Sequence, residues 1–197
     1  KDIYVNQNLL NIISPSGISF DNNYADIGEG VGKIFCISRY PSELDYGWLS
    51  DIVNLPGAAA TVEYRYSPED IMIAQFNRRI SELKSARETE RKESEIQRYE
   101  HQIEDLKNLI NRISVKREPV GFFNVLLHIQ DANEELLAKR IRNINSRVRI
   151  HECDMQFLKF KQRQALESMS PWGIPNAMVY NVGERNMPMS TFVGGFP

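Results

Sequence analysis

The segment VGFFNVLLHI, residues 120–129, is strongly apolar and predicts a β-strand that is buried between neighbouring strands. A second apolar run, KIFCISRY at residues 33–40, is broken by Pro41 and predicts another buried strand. Both runs are more apolar than the other strand-like segments of the chain. We therefore expect them to be the two central strands of one sheet.

The first central strand is followed by a helix and then by an alternating segment. Ser42-Glu43 opens the predicted helix, whose apolar residues from Leu44 to Val53 fall at helical spacing. Residues 58–66 alternate between apolar and polar side chains, which predicts a half-buried strand. This order of strand, helix and strand forms one half of a split-βαβ pattern.

The second central strand is followed by the same order. Asp131 is expected to cap a helix, with Glu134 at the capping-box position. The alternation RVRIHE at residues 147–152 predicts an edge strand, and residues 155–169 predict a further amphipathic helix. The two halves together predict an α+β fold, a ferredoxin-like antiparallel sheet of the split-βαβ kind.

A long helical segment lies between the two halves. No Gly or Pro occurs from Glu69 to Glu118, and two apolar stripes are separated by RETERKESE, residues 87–95. One helix of this length would extend roughly 70 Å, whereas two antiparallel helices would return the chain to the sheet. We therefore predict a helical hairpin over about residues 69–115 with its polar tip at residues 87–95. A single long helix that docks on another subunit is the alternative.

The remaining segments complete the predicted domain organisation. Residues 1–30 form an extension with a small hairpin, residues 31–170 the ferredoxin-like domain with its insert, and residues 171–197 an irregular linker to a further domain absent from this chain. Cys36 and Cys153 lie in strand-like segments and are predicted to be buried free thiols, as in a reducing compartment.

The composition argues against two classes of protein. A net charge of -2 lacks the basic excess of a nucleic-acid-binding domain. No apolar run reaches the ~18 residues of a membrane-spanning helix, and no signal peptide is visible. Phe122 and Phe123 point to opposite faces of their strand, so packing in the core accounts for both, and binding of RNA to the sheet is not expected.

No motif for catalysis or metal binding can be assembled. The sequence GEGVGKI, residues 28–34, has three residues between its outer glycines instead of the four of a phosphate loop, and it precedes a strand. His151 and Cys153 are too few ligands for a structural zinc site. We therefore predict no catalytic, cofactor-binding or metal-binding residue in this chain.

The charged hairpin is the segment best suited to a protein contact. We predict an interaction surface at its tip, formed by Arg87, Arg91, Lys92, Glu95 and Arg98. Mixed charge on a helix is also typical of a solvated face, so the pattern fits either use.

The C-terminal segment, with NMPMST at residues 186–191 and VGGFP at residues 193–197, resembles the end of the N-terminal domain of type IV secretion conjugation ATPases, the VirB-type, TraC/TrbE-like family. Members carry an Arg, then Met-Pro or Met-Thr, then Ser/Thr, then two small residues before Phe-Pro-Phe. The residues that fit this pattern are Arg185, Met187, Pro188, Ser190, Thr191, Gly194, Gly195, Phe196 and Pro197. Tyr40-Pro41, the segment DANEELL at residues 131–137 and Gln164-Ala165-Leu166 before Pro171 also resemble the family, so the similarity covers roughly residues 31–197.

The resemblance implies a part in conjugative transfer of DNA. In this family a RecA-like ATPase domain follows the Phe-Pro motif, so the Walker motifs, ATP and magnesium are expected beyond residue 197, and this fragment is not expected to be an enzyme. The N-terminal domain would contact inner-membrane secretion-channel proteins and other subunits of the same ATPase. The resemblance implies a cytoplasmic protein held peripherally at the inner face of the membrane, homo-oligomers, and no direct binding of nucleic acid.

Two other functions remain open from the residues alone. A free-standing coiled-coil interaction module predicts that the hairpin self-associates and that no ATPase domain follows. A ferredoxin-like ligand- or RNA-binding domain predicts stabilisation by its ligand through mass action.

Overall fold

The computed structural model describes residues 17–28, 30–41, 45–170, 173–174 and 176–196. Its fold is a mixed α+β arrangement with antiparallel strands and, in these ranges, seven helices. The elements in chain order are β1 (Ile18–Phe20), β2 (Ala25–Ile27), β3 (Val31–Arg39), α1 (Trp48–Val53), β4 (Ala58–Tyr66), α2 (Glu69–Thr89), α3 (Glu93–Ser114), β5 (Val120–Asp131), α4 (Glu134–Ile150), β6 (Asp154–Phe157), α5 (Gln162–Met169), α6 (Ala177–Gly183), β7 (Arg185–Pro188) and α7 (Met189–Gly194).

The strands form two sheets. β1 and β2 pair antiparallel across a turn at residues 21–24, where the sequence predicts a hairpin. The second sheet has the order β4-β5-β3-β6, and β7 also pairs with β5. β3 pairs antiparallel with β5, with Val31 opposite Asp131, and with β6, with Phe35 opposite Phe157. β3 and β5 therefore each lie between two neighbours, as expected from their apolar sequences.

The chain divides into two compact units. The first contains the described residues of Lys1–Glu63, Asn124–Glu184 and Gly195–Pro197, and the second contains Tyr64–Phe123 and Arg185–Gly194. β4 and β5 contribute residues to both units.

In the first unit, helices cover both faces of the sheet. One face packs on α5 and α6 through a buried cluster of Ala25, Ile34, Cys36, Leu126, Leu158, Ala165 and Val179. Alternate residues of β3 face the other way, and Phe35 lines a cavity together with Leu137 of α4 and Phe157 of β6. Both cysteines are buried and free, which confirms the prediction.

A buried glutamine satisfies the backbone of β3 beside the end of β6. The Ile34 N–H donates to Oε1 of Gln162 at 2.7 Å, and Nε2 of Gln162 donates to the carbonyls of Ile34 at 3.0 Å and of Leu158 at 2.8 Å. These bonds tie the first turn of α5 to the sheet. Losing them would leave backbone groups unpaired in the core, at a cost of about 1–3 kcal/mol each.

His128 of β5 lies under the small β1–β2 sheet. Its Nε2 donates to the Ala25 carbonyl at 2.8 Å. A side chain at Gly32 would place a Cβ 2.3 Å from that carbonyl oxygen and 2.4 Å from Nε2 of His128, so the position requires glycine. Burial lowers the pKa of His128, against the opposing effects of the Ala25 carbonyl and the Asp26 carboxylate.

In the second unit, α2 and α3 form an antiparallel pair. Near β5 they pack through Met72, Phe76 and Ile113, and farther along the pair through a smaller cluster of Ile80, Leu83 and Ile103. The chain reverses at residues 90–92, within the predicted tip. The two helices therefore lie side by side, and the alternative of one long helix is wrong.

The predicted edge strand at residues 147–152 is wrong, because α4 continues to Ile150 and the strand is β6. Leu137, Ile144 and Val148 are buried at helical spacing, whereas Ile150 is 75% exposed. The alternation of Val148 with Ile150 was therefore incidental to the helical period. The helix predicted at residues 155–169 is shortened accordingly and begins at Gln162.

Two further boundaries differ from the predictions, and a third prediction falls outside the described residues. Asn133, not Asp131, caps α4, and its Oδ1 accepts the Leu136 N–H at 3.0 Å. The predicted opening of α1 at residues 42–44 lies outside the described residues. Residues 171–197 are not irregular throughout, because α6, β7 and α7 form there.

Candidate interaction surfaces

The tip of the α2–α3 hairpin carries the five residues predicted to form an interaction surface. Arg87 of α2 donates to Glu100 of α3 at 3.3 Å, and Arg98 contacts Glu95 at 3.1 Å within α3. Arg91 and Lys92 lie exposed in the turn, where their side chains have no ion pair with any residue that the structure describes. The unpaired positive charge of the tip is thus concentrated in these two residues.

The turn between the helices is organised by one carboxylate. Glu90 Oε1 accepts the backbone N–H groups of Arg91 at 2.8 Å and of Lys92 at 3.0 Å. These hydrogen bonds lower the pKa of Glu90, first through Lys92 and then through Arg91. The backbone of the tip is therefore held while its two cationic side chains remain exposed.

The tail segment with the family-like motif is built into the second unit. β7 pairs antiparallel with the first residues of β5, and Met187 and Pro188 are buried. The Tyr64 hydroxyl donates to the Met187 carbonyl at 3.1 Å, and the Met189 N–H donates to the Pro119 carbonyl at 2.9 Å. The motif in this unit is therefore a paired strand and not a free linker.

An aromatic cluster holds α7 in the same unit. The ring of Phe192 stacks on Tyr64 with 4.9 Å between centroids and meets the edge of Phe123 at 5.7 Å. Burial raises the pKa of the Tyr64 hydroxyl. Tyr64 therefore remains protonated at neutral pH and can donate its hydrogen bond.

A polar cluster at the base of the hairpin, formed by Arg112, Glu118 and Ser190, ties α7 to α3. Arg112 Nε donates to Glu118 at 2.7 Å, and the Ser190 N–H donates to the same carboxylate at 3.3 Å. The Ser190 hydroxyl donates to Glu118 as well and accepts from Arg112 at 3.3 Å. Burial raises the pKa of Glu118, but the Ser190 hydrogen bonds and the Arg112 charge outweigh it and hold that pKa below its usual value.

The other motif residues are distributed between the units. Arg185 and Thr191 lie in β7 and α7 of the second unit, whereas Phe196 belongs to the first unit and Pro197 lies outside the described residues. In the first unit the Gly195 carbonyl accepts the N–H groups of Leu49 at 3.0 Å and Ser50 at 3.1 Å. These groups begin α1 and have no partner within the helix, so Gly195 caps it.

A groove of about 600 Å³ runs beside α4 in the first unit. Lys139, Arg140 and Arg147 give it positive charge, and Leu55, Leu136 and Ile144 give it apolar surface. Arg140 donates to Asp131 at 2.7 Å and to the Pro56 carbonyl at 3.1 Å. No sequence motif marks this groove, because its residues come together only when α4 packs beside residues 55–56.

In the described ranges, no three His, Cys, Asp or Glu side chains converge as a ligand set. Burial raises the pKa of Cys153 to about 11, with a further rise from Asp154, so its thiol is protonated at neutral pH. In the same ranges no helix combines the length and the apolar character that crossing a membrane requires.

Comparison with known proteins finds a distant similarity and no matching family. No protein-family model matches the chain. It is similar to the uncharacterized protein pXO2-09 of Bacillus anthracis, at 24% identity over 155 residues. The aligned part is 78% of this chain and 24% of that protein, so the chain spans about a quarter of the relative's length.

Proposed function

We propose that this chain is the non-catalytic N-terminal assembly domain of a conjugative type IV secretion ATPase. The main observation in support of this proposal is that the tail segment is attached to the base of the hairpin. In the family that the tail resembles, this segment leads into the ATPase domain. Within the second unit, displacement of the tail would act on α3 through the bonds of Ser190 with Glu118 and Arg112.

We assign the sheet to the ferredoxin-like class, with the α2–α3 hairpin inserted between its two halves. The strand order β4-β5-β3-β6 supports this assignment, because the strands that open each half are the two central ones. The position of the two helices between β4 and β5 in the chain supports the insertion.

The whole protein would be an ATP- and magnesium-dependent motor at the cytoplasmic face of the inner membrane. The greater length of the Bacillus anthracis protein supports this proposal, because a motor domain requires additional chain. The name of that protein refers to the plasmid pXO2, which fits a function in plasmid transfer. Its partners would be inner-membrane channel proteins and other copies of the ATPase.

The proposal is tested first by reading the encoding gene past Pro197. We expect a Phe codon, then a strand and a phosphate loop of the form Gly, four residues, Gly-Lys-Ser/Thr. A stop codon, or a downstream region without a phosphate loop, would contradict the proposal. The hairpin would then be the contact surface of a free-standing interaction module.

The hairpin tip is expected to make the docking contact. Deleting residues 87–95 should weaken assembly and leave the fold intact, because no residue in this range is buried. A finer variant is Arg91→Ala with Lys92→Ala, which removes the two unpaired charges of the tip. Retention of channel proteins on the full-length protein should fall by about tenfold, equivalent to ~1.4 kcal/mol.

The matched control is Arg78→Ala with Arg79→Ala, which removes two exposed cations from the middle of α2. We expect this variant to retain its partners and to support normal transfer frequency in donor cells. Equal losses in both variants would show a general charge effect, and no loss in either would exclude the tip as the contact.

A further inference from the structure

The exposed side of α4 carries a row of positive charge with little compensation. The helix contains Lys139, Arg140, Arg142, Arg147 and Arg149, and no acidic residue occurs from Leu136 to His151. Among the described residues, only Arg140 of these five has an ion pair, with Asp131. The whole chain has a net charge of -2, so the unpaired cations on this helix do not reflect a general excess of basic residues.

The cations are interleaved with exposed apolar side chains in one line along the helix. Leu136, Lys139, Asn143, Arg147 and Ile150 follow each other at steps of three or four residues, which places them on one face. Leu136 is 44% exposed and Ile150 is 75% exposed. The first four of these residues line the groove of about 600 Å³ beside α4.

The lining of the groove favours an acidic helix over other anions. None of the described residues that line it carries an aromatic ring on which a nucleic-acid base could stack. A concave surface is poorly matched by a flat bilayer, whereas a helix laid along a groove is a recurrent mode of peptide recognition. The apolar groups of Leu55 and Leu136 would contact such a helix between the charges.

The chain itself presents a helix of this character. Glu93, Gln97, Glu100 and Glu104 of α3 are exposed at steps of three or four residues, with Asp105 beside them. Among these acids, only Glu100 has an ion pair within the part of the chain that the structure describes, with Arg87. Glu93 and Glu104 are separated by roughly 17 Å of helix, and Lys139 and Arg147 by roughly 12 Å, a difference that the long side chains of Lys and Arg can span.

We propose that the groove beside α4 binds the acidic face of α3 from a second copy of this chain. Lys139 and Arg147 of one copy would face Glu93 and Glu104 of the other, with Leu136 and Ile150 at the ends of the contact. The inference rests on the assembly function proposed above, because it assigns the surface through which neighbouring subunits meet.

Two charge-reversed forms of the full chain test this contact by sedimentation equilibrium. One carries Lys139→Glu with Arg147→Glu, and the other carries Glu93→Lys with Glu104→Lys. We expect the unaltered chain to self-associate with an affinity that falls as salt is raised. Each form alone should associate at least about tenfold more weakly, since like charges then face each other.

Mixing the two forms separates a specific contact from a general effect of charge. The acidic groove of one form is complementary to the basic α3 of the other, so the mixture should recover association that neither form has alone. Arg142→Glu with Arg149→Glu is the control, because it changes the same charge on the other flank of α4 and should leave self-association unchanged.

Three outcomes would overturn the inference. The first is a monomeric unaltered chain at every concentration and salt, and the second is a mixture that stays as dissociated as its components. The third is binding of a duplex DNA oligonucleotide or of phosphatidylserine vesicles that only the Lys139→Glu, Arg147→Glu form loses. None of these outcomes bears on the retention of channel proteins measured with Arg91→Ala and Lys92→Ala, so the proposed docking function can survive the failure of this contact.

Discussion

The two units of the chain are stabilised in different ways. In the first unit, residues 124–129 of β5 are all buried, as are four consecutive residues of β3, Ile34 to Ile37. In the second unit, α2 and α3 bury only Met72, Phe76, Ile80, Leu83, Ile103 and Ile113 over their whole length. Most of the remaining hairpin residues are exposed, and about half of the exposed ones are charged.

This difference indicates how stability and recognition are divided. Burial of apolar surface contributes about 25 cal/mol per Å², so the sheet supplies much more stabilisation per residue than the hairpin does. Exposed ion pairs such as Arg78–Glu82 and Arg87–Glu100 each contribute roughly 0–1 kcal/mol. The outer half of the hairpin can therefore change its surface charge at small cost, which suits a surface that contacts other proteins.

Truncating one leucine in each unit tests this contrast and should produce the largest effect. Leu126→Ala opens a cavity in the cluster between the sheet and α5 and α6, and we expect a loss of about 3–5 kcal/mol. Leu83→Ala removes the same atoms from the three-residue cluster of the outer hairpin, where neighbours can relax, and should cost about 2 kcal/mol. Urea denaturation followed by circular dichroism measures both.

A second measurement on the same two variants shows which part of the chain loses stability in each. Hydrogen exchange should show faster opening of α2 and α3 in Leu83→Ala, because the described residues of that cluster all belong to these two helices. In Leu126→Ala the strands β3 and β5 should open as well. Equal losses with the same exchange pattern would show that the units unfold together and are supported by one core.

Strong local signals explain what the sequence predicted about the fold. The strand at residues 58–66 was predicted with its observed bounds, because residues 61–66 alternate between polar and apolar side chains and Pro56-Gly57 precedes the strand. The reversal of the hairpin at residues 90–92 followed from the nine-residue gap in the apolar stripe. In both segments, the residues that specify the structure are close neighbours in the chain.

Competing periods and distant partners explain what the sequence did not predict. At residues 147–152 the two-residue alternation overlapped the end of a helical stripe, and the burial of Val148 with Ile144 determined the outcome. The residues of the tail motif were identified from the sequence, but the residues that they contact were not. Ser190 meets Glu118 and Arg112 across 72 and 78 residues, and no local pattern reports a pairing over such separations.

Acidification should affect the first unit at a higher pH than the second. Burial lowers the pKa of His128 below the ordinary value of 6.5, so the unfolded chain binds a proton that the folded chain does not. Stability should therefore fall as pH decreases below about 6.5, by at most ~1.36 kcal/mol per pH unit for one proton. The lowered pKa of Glu118 makes stability fall with decreasing pH in the same direction, because the folded chain favours the carboxylate, but this contribution is lost only below about pH 4.5.

Replacing the imidazole distinguishes this titration from a general loss of stability in acid. His128→Gln retains an N–H donor for the Ala25 carbonyl but has no proton to gain. Urea denaturation from about pH 7 to about pH 5.5 should show a smaller decline in this variant than in the unaltered chain. Identical slopes would mean that another group governs stability in this range.

The smallest and most local effect is expected where the tail meets the hairpin. Ser190→Ala removes the hydroxyl that bonds Glu118 and Arg112 but keeps the backbone N–H bond to Glu118. Because the site is exposed, the free energy for opening α7 should fall by about 1 kcal/mol, while global stability changes by less than about 0.5 kcal/mol. Amide exchange of Phe192 and its neighbours measures the first quantity, and urea denaturation measures the second.

Ser146→Ala is the matched control, since within the described part of the chain its hydroxyl donates to the Arg142 carbonyl of its own helix and to no other element. We expect it to leave exchange in α7 unchanged. If Ser190→Ala also leaves α7 exchange unchanged, the polar cluster does not hold the tail, and the route proposed from the tail to the hairpin is lost. If it instead lowers global stability by as much as Leu83→Ala does, α7 is part of the folding core of the second unit and cannot move independently of the hairpin.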